Sequence, residues 1–189
     1  MPNKPPKQHK CKECGNYYTK FQSTQQVCSV KCAIALSKRK AEAKRKQADK
    51  AERKERRQRL ENLKNRSDWL KDLQKWFNKF IRLRDKDLPC ISCGRFHQGQ
   101  WHAGHYKTVG GNPELRFNED NVHRQCSVCN NHKSGDIVNY RINLIERIGL
   151  ERVEFLERKD HPPLKLTTEE IKDLIKVYKV KCKELERAA

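Results

Sequence analysis

The sequence predicts an α+β chain assembled from small modules, and three observations carry that prediction. Cysteines fall in closely spaced pairs, Cys11-x2-Cys14 with Cys28-x3-Cys32 and Cys90-x2-Cys93 with Cys126-x2-Cys129, so each set of four thiolates can complete the tetrahedral shell of one zinc ion. Of the 189 residues, 35% are hydrophobic and 35% charged, a balance that leaves too little apolar surface for one large core. Between the second two cysteine pairs, Gly110-Gly111-Asn112-Pro113 separates two stretches that read as strands, whereas most of the remainder carries helical spacing.

Residues 1–37 form the first expected module. Its opening, Met1-Pro2-Asn3-Lys4-Pro5-Pro6, lacks the apolar core of a signal peptide, and no stretch of the chain approaches the roughly 18 apolar residues of a spanning helix. A cytosolic location is therefore expected, where thiols stay reduced and C-x2-C spacing favours metal over disulfides. Tyr17, Tyr18, Phe21 and Val27 supply a very small core around Cys11, Cys14, Cys28 and Cys32, expected to hold a structural zinc, with His9 as a competing ligand.

Residues 38–66 follow as a basic linker with fourteen Lys or Arg, five Asp or Glu, and hardly an apolar side chain. Acids precede bases by four positions at Glu42 and Lys46, Asp49 and Arg53, Glu52 and Arg56, and Glu55 and Arg59, the orientation that supports a solitary helix. Fully helical, it would be a rod of roughly 40 Å at about 1.5 Å per residue. It can separate modules, or also lay Arg53, Arg56 and Arg57 along phosphates, and the two roles are compatible.

The main domain is expected over 67–189. Ser67 is expected to cap a helix whose Trp69, Leu70, Leu73, Trp76, Phe77, Phe80 and Ile81 recur every three or four residues. Residues 100–109 and 115–124 are expected to pair as strands, and the second cysteine pair to open a helix. Ile137, Tyr140, Leu144, Ile145 and Ile148 then predict a helix stopping at Gly149, and Val153, Phe155 and Leu156 a short one before Pro162 and Pro163. Thr167-Thr168-Glu169-Glu170 is a capping box for the last helix. There Cys182 shares a stripe with Ile171, Leu174, Ile175, Tyr178 and Leu185, as a buried core thiol would.

A formal charge of +19 and a pI near 9.7 point to a polyanionic partner, most simply nucleic acid. A membrane-surface helix fits poorly, because the densest basic run has almost no large apolar residue to bury. Hydrolysing a phosphodiester needs an activated water, a cation against the developing charge and help for the departing oxygen. A histidine and one hard divalent metal can supply these, and a hairpin clamped to a helix by zinc would bring His105 to Asn130 or His132 in a ββα-metal layout. Cysteine-bound zinc is closed to water, so the cysteines themselves read as structural.

Cys90-x2-Cys93, Gly104-His105, Asn121 five residues before Cys126, and Cys126-x2-Cys129-Asn130-x2-Lys133 resemble the signature of HNH endonucleases, whose core is treble-clef-like. More narrowly, Asp87-Leu88-Pro89-Cys90-Ile91-Ser92-Cys93-Gly94, Ala103-Gly104-His105-Tyr106, Leu115-Arg116-Phe117-Asn118-Glu119 and His132-Lys133-Ser134-Gly135 resemble the lambdoid phage NinG, or Rap, recombination family over nearly the whole chain. The resemblance implies a metal-dependent endonuclease cutting branched DNA such as Holliday junctions and D-loops, inside the bacterial host. His105 would be its general base, Asn121 would orient that base and tie down the hairpin, and Asn130 would hold a catalytic Mg²⁺ or Mn²⁺. Gly104 stands where many HNH enzymes carry an acidic metal ligand, and His132 or His123 is expected to replace it before His102 does. Lys133, Arg116 and Arg124 are candidate phosphate contacts, and symmetric cutting of a junction would suit a homodimer. The competing reading is a non-catalytic, zinc-dependent binder of branched or single-stranded DNA, for which Tyr17, Tyr18, Phe21 and Trp101 could stack on bases.

Overall fold

In the computed structural model, residues 7–188 are described, so the N-terminal stretch 1–6 inspected for a leader lies outside them. The chain divides into two units, Met1–Leu63 and Lys64–Ala189. Helices and two small antiparallel sheets make up both, an α+β composition with one cluster of four cysteines in each unit. Among the described residues, no helix is long and apolar enough to cross a membrane.

In the first unit, β1 (Gln8–Lys10) pairs with β2 (Tyr17–Thr19), and a helix α1 (Val30–Asn62) follows. Helix α1 begins inside the cysteine module rather than at residue 38. Ser29 caps it by accepting from the Cys32 backbone N–H at 3.3 Å, so the last cysteine already sits in its first turn. Cys11, Val27 and Leu36 form the small core, and beyond Leu36 the helix is exposed. Phe21, expected in that core, is instead 93% exposed.

The second unit opens with α2 (Arg66–Arg84). Its cap is Asn65, not Ser67: Asn65 Oδ1 accepts from the Asp68 N–H at 3.0 Å while the Asp68 carboxylate takes the Asn65 N–H, a reciprocal pair that Ser67 lacks. Trp69, Leu73, Phe77, Phe80 and Ile81 of α2 pack against Ile171, Ile175, Tyr178 and Cys182 of α5 (Thr168–Arg187), which starts at the Thr167 and Glu170 capping box. Phe77 meets Tyr178 and Phe117 edge-on, with ring centroids 5.1 and 5.6 Å apart.

The central sheet pairs β3 (Trp101–His105) with β4 (Val122–Cys126), in register from Trp101 opposite Cys126 to His105 opposite Val122. Both strands are shorter than the sequence predicted, and 106–121 is a long irregular connection containing a 3₁₀ turn at Pro113–Leu115. Asn121 ends the ladder. Fully buried, it accepts from Lys107 N–H at 2.7 Å and donates to the Lys107 and Leu115 carbonyls at 3.0 and 3.1 Å, satisfying backbone groups that strand pairing would have used. Residues opposite one another share a face, so Val122 enters the α2–α5 core. His123 turns the other way, to Tyr140 in the second core.

That second core joins Ile91, Tyr106 and Leu115 to Tyr140 and Leu144 of α3 (Ile137–Ile148) and to Val153 and Leu156 of α4 (Leu150–Glu157). The helix expected straight after the second cysteine pair is interrupted. A single wide turn covers Val128–His132, then Ser134, Gly135 and Asp136 all adopt positive φ (50°, 90° and 47°), and α3 starts afresh. Left-handed backbone at two non-glycine residues is uncommon and persists where surrounding contacts impose it.

Asp85, at the end of α2, joins α2 to the sheet. It is 2% exposed, pairs with the Arg84 guanidinium at 2.7 Å and accepts the Arg124 backbone N–H at 2.9 Å. Burial works against its ionisation, but Arg84 and the Arg124 N–H outweigh it and hold the carboxyl below its usual pKa. Asp85→Ala should destabilise this unit by about 2 kcal/mol, because Arg84 loses its anionic partner and the Arg124 N–H its acceptor. Urea unfolding followed by tryptophan fluorescence measures it, and a loss below about 0.5 kcal/mol would remove Asp85 from the account.

Candidate functional site

Four sulfurs converge in each unit, Cys11, Cys14, Cys28 and Cys32 in one and Cys90, Cys93, Cys126 and Cys129 in the other, each set lying within 4.8 Å of one another. Both sets are compatible with structural zinc. Backbone N–H groups point at three of the sulfurs: Cys126 N–H at Cys90 Sγ (3.3 Å), Cys129 N–H at Cys126 Sγ (3.5 Å) and Cys28 N–H at Cys11 Sγ (3.4 Å). Burial opposes ionisation of Cys90, yet N–H bonds from Cys126, Cys93 and Ser92 hold its thiol below the usual value. His9 does not belong to the first cluster. His97 was not anticipated: its Nε2 lies 3.1 Å from Cys93 Sγ, and its position four residues after Cys93 was the available signal.

The cysteine cluster ties Cys90 and Cys93, upstream of β3, to Cys126, the last residue of β4, and to Cys129 beyond it. A groove then runs along β3, lined by Ala103, His105, Arg116, Gln125, Asn130 and Ser134 among others. The His105 ring is held by the Arg116 carbonyl, 3.1 Å from Nε2. A carbonyl only accepts, so Nε2 carries the proton and Nδ1 keeps a lone pair. Burial, the largest effect, and the neighbouring Arg116 charge lower the His105 pKa, so the ring is neutral at physiological pH. Asn121 does not touch the ring. It fixes the Leu115 carbonyl, next to the Arg116 carbonyl on which the ring is hung.

Asn130 reaches the groove from the turn after β4. Its Nδ2 donates to Asn131 Oδ1 at 2.6 Å, leaving its own Oδ1 uncommitted. The two histidines expected to replace an acid at Gly104 do not line this groove. His123 points to the opposite face, where burial first and the Arg84 charge next push its pKa down to about 3, and its Nδ1 lies 3.4 Å from the Tyr140 hydroxyl. His132 is exposed at the end of its turn. Gly104 itself has a steric reason: a Cβ there would stand 2.1 Å from Gln125 Oε1.

Arg116 lines the groove and donates to Gln74 at 2.7 Å. Arg124 is committed elsewhere, stacked 3.7 Å from the Trp101 ring and bonded to the Asp85 and Lys86 carbonyls. Lys133 borders a different depression, beside Cys93 and His97. Arg53, Arg56 and Arg57 are exposed on α1, in the other unit.

The family model described as "Bacteriophage Lambda NinG protein" matches residues 3–188. Protein ninG of Salmonella phage P22 is 47% identical over 189 residues, covering 93% of each chain. Protein ninG of Escherichia phage lambda is 46% identical over 193 residues, covering 95% of this chain and 94% of that one. Protein ninG of Escherichia phage 933W is 46% identical over 191 residues, with the same two coverages. No solved structure matches the chain.

Elemental analysis should find about two zinc equivalents per chain, one per four-cysteine cluster. Cys126→Ser should retain about one and melt its hairpin unit far below the wild type. Full zinc content in that variant would break the assignment.

Proposed function

The chain belongs to the NinG family, and from that membership and the His105 groove we propose that it is a metal-dependent DNA endonuclease of the HNH type, acting on branched DNA such as Holliday junctions and D-loops. One observation carries the reading: a neutral histidine, its Nε2 donating to a backbone carbonyl so that Nδ1 holds the lone pair, stands in a groove shared with Asn130 and Arg116. That is the preparation a general base needs.

His105 Nδ1 would take the proton from the water that attacks the scissile phosphorus. The Arg116 carbonyl holds the ring in one tautomer and stabilises the imidazolium that results, and Asn121 keeps that carbonyl in place through the adjacent Leu115. Arg116 adds positive charge for a flanking phosphate. A divalent cation, Mg²⁺ or Mn²⁺, held through Asn130 would supply charge against the phosphorane-like transition state and the departing oxygen. The formal charge of +19 supports attraction to DNA, and the exposed arginines of α1 suit contact with its phosphates.

A second reading is favoured by one feature: among the described residues, no carboxylate lines the groove. A catalytically silent binder of branched DNA would look the same there. Cleavage of labelled four-way junction, D-loop and linear duplex with Mg²⁺, Mn²⁺ or EDTA, alongside binding, separates the two. His105→Ala should reduce junction cutting by about 10² or more with junction affinity within a few-fold of wild type. Tight junction binding with no cutting under either metal would instead select the silent binder.

The rate should also carry the pKa of His105. Only the neutral ring accepts a proton, and burial lowers its pKa from the ordinary histidine value, so single-turnover cutting should be level at and above about pH 7.5 and fall toward acid pH. A profile still climbing above about pH 7.5 would assign the base to another group.

A further inference from the structure

The loop between Cys14 and Cys28 in the first unit holds an aromatic ring in water. Phe21 is 93% exposed, although the same module has a small buried core at Cys11, Val27 and Leu36 that another ring would enlarge. Gln25 keeps it out: its Oε1 accepts the Phe21 N–H at 2.9 Å, its Nε2 donates to the Val27 carbonyl at 2.9 Å, and its own carbonyl accepts from the Tyr18 hydroxyl at 3.0 Å. The Gln25 N–H donates to the Gln22 carbonyl at 3.1 Å and closes the turn.

The surroundings are cationic. Residues 7–29 contain four lysines and a single acid, Glu13, which is paired with Arg39 at 3.2 Å. The loop forms one wall of a depression lined also by His9, Lys10, Lys12 and Tyr18, and among the described residues no carboxylate lines it. The Lys12 N–H donates to the Gln26 carbonyl at 3.1 Å, which joins the lysine-bearing segment to the loop. Of the other rings read as base-stacking, Tyr17 is 70% exposed and stands opposite Lys10 in the β1–β2 register, whereas Tyr18 is partly buried with its hydroxyl committed and Trp101 is covered by Arg124.

We propose that this module grips unpaired nucleotides, with a base stacked on Phe21 and the strand's phosphates along Lys10 and Lys12. A duplex keeps the faces of its bases inside its own stack, so a free ring finds nothing to cover there, whereas an unpaired strand offers base faces and phosphates together. The displaced strand of a D-loop is such a strand. The proposal deepens the branched-DNA reading and rests on it only for the source of the unpaired nucleotides.

The test titrates full-length, zinc-loaded protein into labelled oligothymidylate of about twelve nucleotides, and into linear duplex, by fluorescence anisotropy at fixed salt without divalent cation. Phe21→Ala should weaken single-strand binding about tenfold and leave duplex binding within about twofold. Phe21→Trp should restore the single-strand affinity and Phe21→Leu should not, because a stacked base needs an aromatic face and not only apolar area. Lys10→Gln with Lys12→Gln should reduce the log–log salt slope of single-strand binding by about one. In the wild type, ultraviolet crosslinking through iodouracil in the same oligonucleotide should map to Phe21. Unchanged single-strand affinity in Phe21→Ala would overturn the proposal and leave the ring to a protein partner. An equal loss on both DNAs, or crosslinks that avoid Phe21, would overturn it as well. Junction cleavage keeps the two readings apart: a wild type that cuts no junction yet needs Phe21 to hold a single strand sinks the nuclease alone, and one that cuts but binds oligothymidylate equally well without Phe21 sinks this proposal alone.

Discussion

The convergence of Cys90, Cys93, Cys126 and Cys129 within 4.8 Å is the constraint on which the second unit depends. It ties the chain before β3 to the end of β4 and the turn beyond it, so that two five-residue strands, too short to be stable alone, become a fixed hairpin. Three groups that border the groove hang from that closure. His105 is the last residue of β3, Gln125 precedes the first cysteine of the second pair, and Asn130 follows the second.

Two apolar cores hold the hairpin between them, the α2–α5 pair on the Val122 face and α3 with α4 on the His123 face. Where the hairpin meets its surroundings, polar groups do the joining. Asp85 connects α2 to β4 through Arg84 and the Arg124 N–H, Asn121 absorbs the backbone of the long connection, and Ser92, Gln125 and Gly135 join the first cysteine turn to the approach to α3. Each is buried, so each constrains its neighbours more strictly than an apolar contact of equal area would. Holding the His105 ring in one orientation requires that strictness.

Gly104 shows how one position can read differently in sequence and in space. As sequence it marks a missing ligand. In the structure it is the vacancy that admits Gln125, since any side chain there would collide with the Gln125 amide. The histidines offered as substitutes fail for reasons of geometry: alternation along β4 sends His123 into a core, and the turn ending at Lys133 leaves His132 in solvent.

By itself, the sequence determined the two four-cysteine clusters, the apolar stripes of α2, α3 and α5, the Thr167 cap and the family, because spacing within a few residues, or identity along a chain, needs no knowledge of the fold. Only the tertiary structure decided where the strands stop, that Asn65 rather than Ser67 caps α2, that α1 grows out of the first cysteine module, and that Ser134–Asp136 breaks the helix after Cys129. The roles of Asp85, His97 and Gln125 belong to that second group. Each acts through a partner that depends on chain closure: Arg124 for Asp85, a clustered cysteine for His97, and the volume left by Gly104 for Gln125. Local periodicity records which residues face a core, but a buried hydrogen bond between distant segments leaves no period in the sequence, and in this protein such bonds shape the groove.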